Sequence, residues 1–145
     1  MTNEQIINAF DICKKYHIKT YSFNMIGLPF ETKKTIRDTF EINKRCNSNG
    51  FQITIIYPFQ GTEIRDMYEK NNMLNLKDIE SKGSYYDSYI TKNTNLSYTY
   101  IKHQQIFMQL YFTYPKFLAY LSKIIPVKLL KIYMILVHNI STHIQ

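Results

Sequence analysis

The sequence predicts an α/β fold, in which two parallel strands with flanking helices form part of a larger layer or barrel and a mostly helical C-terminal extension follows. Three observations predict it. Helix-like and strand-like hydrophobic patterns alternate from Thr2 to Asn72. The connections between them are short, which favours parallel strands joined by right-handed crossovers. Punctuation is sparse, with 4 Gly and 4 Pro in 145 residues, so most of the chain should be regular structure. With 45% hydrophobic positions the chain could bury one core, which suits a single domain or a piece of a larger one.

Each element has its own signal. Thr2 followed by Gln5 has the form of a capping box, and Ile6, Phe10 and Cys13 recur at helical spacing, which predicts a helix from Asn3 to Tyr16. "IKTYSFNMIG", closed by Gly27-Leu28-Pro29, reads as a strand. Thr32 is the N-cap of a second helix whose face carries Ile36, Phe40 and Asn43 and which should end before "NSNG" at Asn47 to Gly50. "FQITIIYP", Phe51 to Pro58, is β-branched and aromatic and reads as a second strand, and a short helix should begin near Thr62. Residues 1–73 thus form the α/β part, residues 74–98 a polar, tyrosine-rich irregular connection, and residues 99–145 a helical extension. In that extension "YIKHQQIFMQLYFTYP" and the segment after Pro126 read as helices. The latter should be amphipathic, with Leu129, Leu130, Tyr133, Met134 and Val137 opposite Lys128 and Lys131.

Two parallel strands alone would leave sheet edges unpaired and one face uncovered, so the pair reads as part of a sheet. Thr20, Ser22 and Asn24 alternate with Tyr21, Phe23 and Met25, and Gln52 and Thr54 alternate with Phe51, Ile53 and Ile55. The expectation is that Asn24 and Thr54 share a polar inner face lining a cleft or lumen. The competing arrangement, a solvent-facing antiparallel pair, fits poorly with an intervening helix.

Charge is unevenly spread. Met1 to Asp87 holds 12 Lys+Arg against 11 acids, whereas Ser88 to Gln145 holds 6 Lys and no acid. Such an end suits an anionic surface or a solvated face. The lysines are dispersed rather than clustered, so no nucleic-acid partner is predicted. Cys13 and Cys46 fall on apolar positions of helical segments and read as buried thiols of a reducing, cytoplasmic compartment. No basic n-region with an apolar h-region opens the chain, so no secretory signal is expected. The stretch from Phe117 is interrupted by Lys123, Pro126, Lys128 and Lys131 and is not a convincing spanning helix.

The informative stretches are the two strand exits. In "GLPFET", Gly27 sits where a strand turns toward a helix, Pro29 stiffens the turn, and Glu31 and Thr32 offer acceptors and a cap above the strand's C-terminal end. "YPFQGTE" repeats the arrangement: Tyr57 and Pro58 leave the strand, Gly61 relaxes the backbone, and Thr62 caps the next helix. Either alone is common turn chemistry. Together they resemble the later strands of radical S-adenosylmethionine enzymes, especially the group with an N-terminal cobalamin-binding domain, whose loops typically read GLPGET and PYPGT. Phe30 stands where that family usually has glycine, and Gln60 where it usually has proline.

The resemblance covers Thr2 to Asn72 and implies a partial parallel (β/α) barrel fragment, TIM-barrel-like, beginning before the fifth of six strands. By it, Asn24, Gly27, Leu28, Pro29, Glu31 and Thr32 would flank the adenosyl ligand and fix its loop, and Tyr57, Pro58, Gly61 and Thr62 would approach the adenine through backbone groups. It implies S-adenosylmethionine and a 4Fe-4S cluster as cofactors of the complete enzyme, with cobalamin carried by an absent N-terminal domain. The cluster would donate one electron to S-adenosylmethionine, and the adenosyl radical would take a hydrogen from a small-molecule substrate. The family's CxxxCxxC loop is absent here, so this chain is not expected to bind the cluster or act alone. No catalytic residue and no metal ligand is expected in it; His17, His103, His138 and His143 show no HExxH-like spacing. The implied partner is the missing N-terminal half of the barrel.

Two rivals of other classes stand beside this reading. One is a non-enzymatic binding module that docks its basic tyrosine-rich helices on a membrane surface or a protein. The other is a small nucleotide-binding domain, disfavoured because neither GxGxxG nor a Walker loop is present.

Overall fold

The computed structural model describes residues 1–74, 91 and 95–142. The chain runs α1 (Asn3–Lys15), β1 (Tyr21–Ile26), α2 (Lys33–Cys46), β2 (Gly50–Ile55), α3 (Glu63–Lys70), α4 (Tyr98–Thr113), α5 (Lys116–Ser122) and α6 (Val127–Thr142). The expected irregular connection lies almost wholly outside the described residues, as does His143.

Local chemistry sets the helix ends. Thr2 and Gln5 form the expected capping box on α1, and Thr32 makes a second one with Thr35 on α2. Asn47 ends α2 in the left-handed conformation, with φ 45°. Thr62 and Ser97 accept from backbone N–H groups to start α3 and α4. The second strand stops at Ile55 rather than Pro58, because past that point the chain leaves the ladder for the glycine loop. The short helix α5 follows Pro115 and has no side-chain cap, which is why the sequence pattern did not set it apart from its neighbours.

β1 and β2 are parallel neighbours in a two-stranded sheet. Their register pairs Asn24 with Ile53 and Met25 with Thr54, so Asn24 and Thr54 point to opposite faces. The shared polar inner face expected from alternation is therefore corrected. The polar side of β1 lies on the same face as Phe51, Ile53 and Ile55, the apolar side of β2. It turns toward α2, where Asn43 meets it: Asn43 Nδ2 donates to Asn24 Oδ1 at 2.7 Å, and Ser22 Oγ donates to Asn43 Oδ1 at 2.6 Å.

The core fills the space between this face, α2 and α4, with Ile26, Ile36, Ile53, Ile101 and Leu110 at its centre. Phe40 of α2 inserts among the α4 rings, its centroid 4.8 Å from that of Tyr111 and 5.4 Å from that of Phe112. The other face carries Tyr21, Phe23, Met25, Gln52 and Thr54. Phe23 there is 75% exposed and Tyr21 54% exposed. The Tyr21 ring lies across Gly50, where any side chain would overlap it, and its hydroxyl donates to the Phe51 carbonyl at 3.3 Å.

The two sheet edges differ. The outward backbone groups of β2 are bonded by α4: Gln109 accepts from Ile53 N–H at 3.2 Å and donates to Phe51 O at 3.1 Å, and Gln105 donates to Ile53 O at 3.3 Å. Glutamine side chains thus stand where a third strand would pair. On β1, the ladder to β2 uses the groups of Thr20, Ser22, Asn24 and Ile26, so those of Tyr21, Phe23 and Met25 point outward. Among the described residues nothing pairs with them.

α6 packs through Leu130 and Val137, with Tyr133 and Met134 half-buried, as its spacing predicts. Leu129 is an exception: it was expected on the packed side and is 51% exposed, because the helix is apolar around nearly its whole circumference. Cys46 is buried, but Cys13 is only half-buried. Among the described residues no helix is long and apolar enough to cross a membrane.

Candidate functional site

Because the strands are parallel, both glycine loops emerge at the same end of the sheet. Leu28 of the first loop packs against a small cluster of Ile56, Tyr68 and Met73 beneath the second. The ten residues singled out in the sequence are, with the exception of Asn24, gathered at this strand-exit corner. Asn24 sits one turn of the pleat deeper and faces α2.

Glu31 organises the first loop. The residue is 7% exposed, and its carboxylate accepts from the Gly27 N–H at 2.5 Å and from the Leu28 N–H. Burial raises its pKa above the usual glutamate range, and the two backbone donors offset that rise in part. Glu31 N–H in turn donates to the Leu28 carbonyl at 3.2 Å, closing a tight turn in which Phe30 takes a positive φ of 60°. The Gly27 carbonyl accepts from the Tyr68 hydroxyl at 2.6 Å, and Tyr68 is fully buried. Asn95 Nδ2 donates to the Phe30 carbonyl at 3.3 Å, which ties the loop to the chain leading into α4.

Gly27 itself has φ 86°, a conformation that side chains disfavour. A Cβ there would lie 3.2 Å from Ile55 Cγ2 and 3.5 Å from Ile56 Cγ2. The glycine is thus required twice, for its backbone angle and for the contact between the loop and the exit of β2. Gly61 has φ 78° but open space around it, so only the angle requires it.

In the second loop Pro58 is fully buried, while Phe59 is 52% exposed and its ring lies 4.9 Å from that of Tyr57. Thr62 Oγ1 donates to the Phe59 carbonyl at 2.7 Å and accepts from Arg65 N–H at 3.3 Å. Thr32 likewise spends its hydroxyl on capping α2. Glu31, Thr32 and Thr62 are therefore committed to loop shape. The most exposed side chains at this corner are the Phe30 and Phe59 rings, beside the open sheet face that begins at Met25.

Sequence reading placed Asn43 on the face of α2 without giving it a role, and missed Tyr68, Asn95, Gln105 and Gln109. The two glutamines had a signal, since their i,i+4 spacing in an otherwise apolar helix puts two amides on one line. Nothing in the sequence marks the Tyr68 hydroxyl. Among the described residues no group of three or more His, Cys, Asp or Glu could hold a metal ion.

No family model matches the chain. An uncharacterized methyltransferase of Pyrococcus horikoshii is 30% identical to it over 74 residues, which are 51% of this chain and 16% of that protein. The chain therefore spans only a small part of the length of the relative to which it is similar.

Proposed function

We propose that the chain supplies the last two strand–helix units of a parallel barrel in an enzyme of the radical S-adenosylmethionine kind, forming part of the adenosyl site and one wall of the substrate cavity. The observation that carries the reading is the asymmetry of the two-stranded sheet. One face is packed under α2 and α4 and the β2 edge is bonded by Gln105 and Gln109, while the opposite face and the β1 edge are open. The final two strands of a barrel wall have this form when the helices lie outside and the preceding strands are supplied by another segment. Both glycine loops lie at the C-terminal strand ends, where such barrels take their ligands. The description of the Pyrococcus relative as a methyltransferase supports a methyl donor as the bound group.

When bound, S-adenosylmethionine supplies one-carbon or radical chemistry. The residues of this chain would orient and shield it. The backbone of Gly27, Leu28 and Pro29 and that of Tyr57 to Gly61 would border the adenosyl group, with Glu31 and Tyr68 holding the first loop in shape. Tyr21, Phe23 and Met25 would form an apolar cavity wall that excludes water. A cluster does not fit this chain. Its two cysteines lie on α1 and α2, burial raises the Cys46 thiol above its usual pKa and so disfavours the thiolate, and several convergent thiolates are needed. Cluster and cobalamin are thus left to the complementary half.

The test is equilibrium dialysis with S-adenosylmethionine and anaerobic turnover, using the chain alone and assembled with a half that carries the cysteine loop. The chain alone should bind weakly and cleave nothing, assembly should restore cleavage, and Gly27→Val should abolish turnover of the assembly. A stoichiometric cluster with reductive cleavage by the chain alone, or full activity of assembled Gly27→Val, would overturn the reading.

A further inference from the structure

The outward face of α6 has no role in the barrel reading. Leu129, Ile132, Ile135 and Leu136 lie on the side of the helix away from buried Leu130 and Val137, and each is more than half exposed. Lys128 is exposed on the same side. In the preceding segment Phe117 and Ile124 are 62% and 81% exposed, next to exposed Lys116 and Lys123. A contiguous run of large apolar side chains turned to solvent marks an interaction surface rather than ordinary exposure.

Charge selects the partner. From Ser88 to Gln145 there are 6 Lys and no acid, so neither α6 nor the helices packed against it, α4 and α5, carry a negative group. A second copy docking face to face would bring together two surfaces that carry lysine and no acid, which like-charge repulsion opposes. A surface that is apolar within and anionic at its boundary satisfies both features. At 16 residues α6 spans about 24 Å, less than the ~30 Å hydrocarbon core, so it suits lying on a bilayer rather than crossing one.

We propose that α6 is a membrane-surface helix that inserts Leu129, Ile132, Ile135 and Leu136 into the interfacial layer of an anionic bilayer, with Lys128 at the headgroups. The apolar face supplies partitioning, and Lys128 with the acid-free charge of this end of the chain selects anionic over zwitterionic lipid. This is independent of whether the strand exits bind S-adenosylmethionine.

The experiment is co-sedimentation of the full chain with vesicles of phosphatidylcholine alone or mixed with phosphatidylglycerol. Binding is expected to the anionic vesicles and to be lost between about 0.1 M and about 1 M salt, as the screening length falls from ~10 Å to ~3 Å. The double substitution Ile132→Ser with Leu136→Ser should lower partitioning by about tenfold or more, since two large apolar side chains no longer leave water. Lys128→Gln should weaken anionic binding alone. Phe23→Ser, which removes an exposed ring on the sheet, should leave vesicle binding unchanged, and circular dichroism should show unchanged helix content in each variant. No binding, equal binding to neutral vesicles, or an equal loss in Phe23→Ser would overturn the proposal. So would a vesicle-free dimer that the double substitution dissociates.

Discussion

Replacing Gly27 and Gly61 separately by alanine tests whether the first corner is held by contact as well as by backbone angle. Both glycines have positive φ, 86° and 78°, so each substitution incurs the left-handed penalty, ~1–2 kcal/mol. At Gly61 nothing lies within 4 Å of the added carbon and that penalty is the whole cost. At Gly27 the carbon meets Ile55 Cγ2 at 3.2 Å, and turning that methyl off its rotamer to make room adds ~0.5–1.5 kcal/mol. Gly27→Ala should therefore cost ~1.5–3.5 kcal/mol. Urea unfolding followed by circular dichroism reads the difference: at a slope of ~1–3 kcal/mol per molar, the Gly27→Ala midpoint should fall by roughly 0.5–3.5 M, and further than that of Gly61→Ala. Equal losses in the two variants would show that the loop does not press on the exit of β2. A neutral Gly27→Ala would refute the account of the corner altogether.

Two further outcomes follow from the same geometry. The folded-state pKa of Glu31 is raised, mainly by burial, so protonation favours the folded chain; its contribution is complete below the ordinary glutamate value and is lost as pH rises through the raised one. Stability measured across that window should decline with rising pH in the natural chain, and Glu31→Gln should lack that slope; an unchanged slope would remove Glu31 as its source. Gln109→Leu leaves the buried Ile53 N–H without its acceptor, a loss of ~1–3 kcal/mol, so exchange of the Ile53 amide should quicken about fivefold or more while that of Ile56, which donates to the Ile26 carbonyl, changes less. Equal acceleration at both amides would mean that the helix secures the whole sheet rather than its edge.

Much of the α/β part was legible because its signals are local. Thr2, Thr32 and Thr62 mark helix starts through hydroxyls that reach only three residues, and Gly27 marks a backbone angle that few other residues tolerate. The relation between strands was not legible. Alternation assigns Ser22 and Asn24 to one side of β1 and Gln52 and Thr54 to one side of β2, but only the ladder decides which sides coincide, and a shift of one residue reverses the answer. The polar face of β1 is used not by a lumen but by Asn43, an α2 residue that the sequence offered merely as part of an amphipathic stripe. For the same reason Tyr68 was invisible: its ring follows helical spacing, while its hydroxyl is aimed by tertiary packing at a carbonyl 41 residues away in sequence. Glu31 looked available to a ligand because sequence displays a carboxylate without displaying the two amides it already serves.

The Ser22–Asn24–Asn43 group has a further consequence. Apolar packing between a helix and a strand tolerates sliding, since one methyl group replaces another at little loss. Asn43 does not slide: its amide nitrogen also donates to the Thr39 carbonyl at 2.8 Å, so its oxygen and remaining hydrogen can meet Ser22 and Asn24 at only one setting. Moving α2 along β1 by one pleat repeat, ~6.6 Å, would separate every one of these partners. The group works as a detent, fixing the pitch of the first strand–helix unit from within, so that the open edge of β1 is held at a defined height relative to the helix behind it.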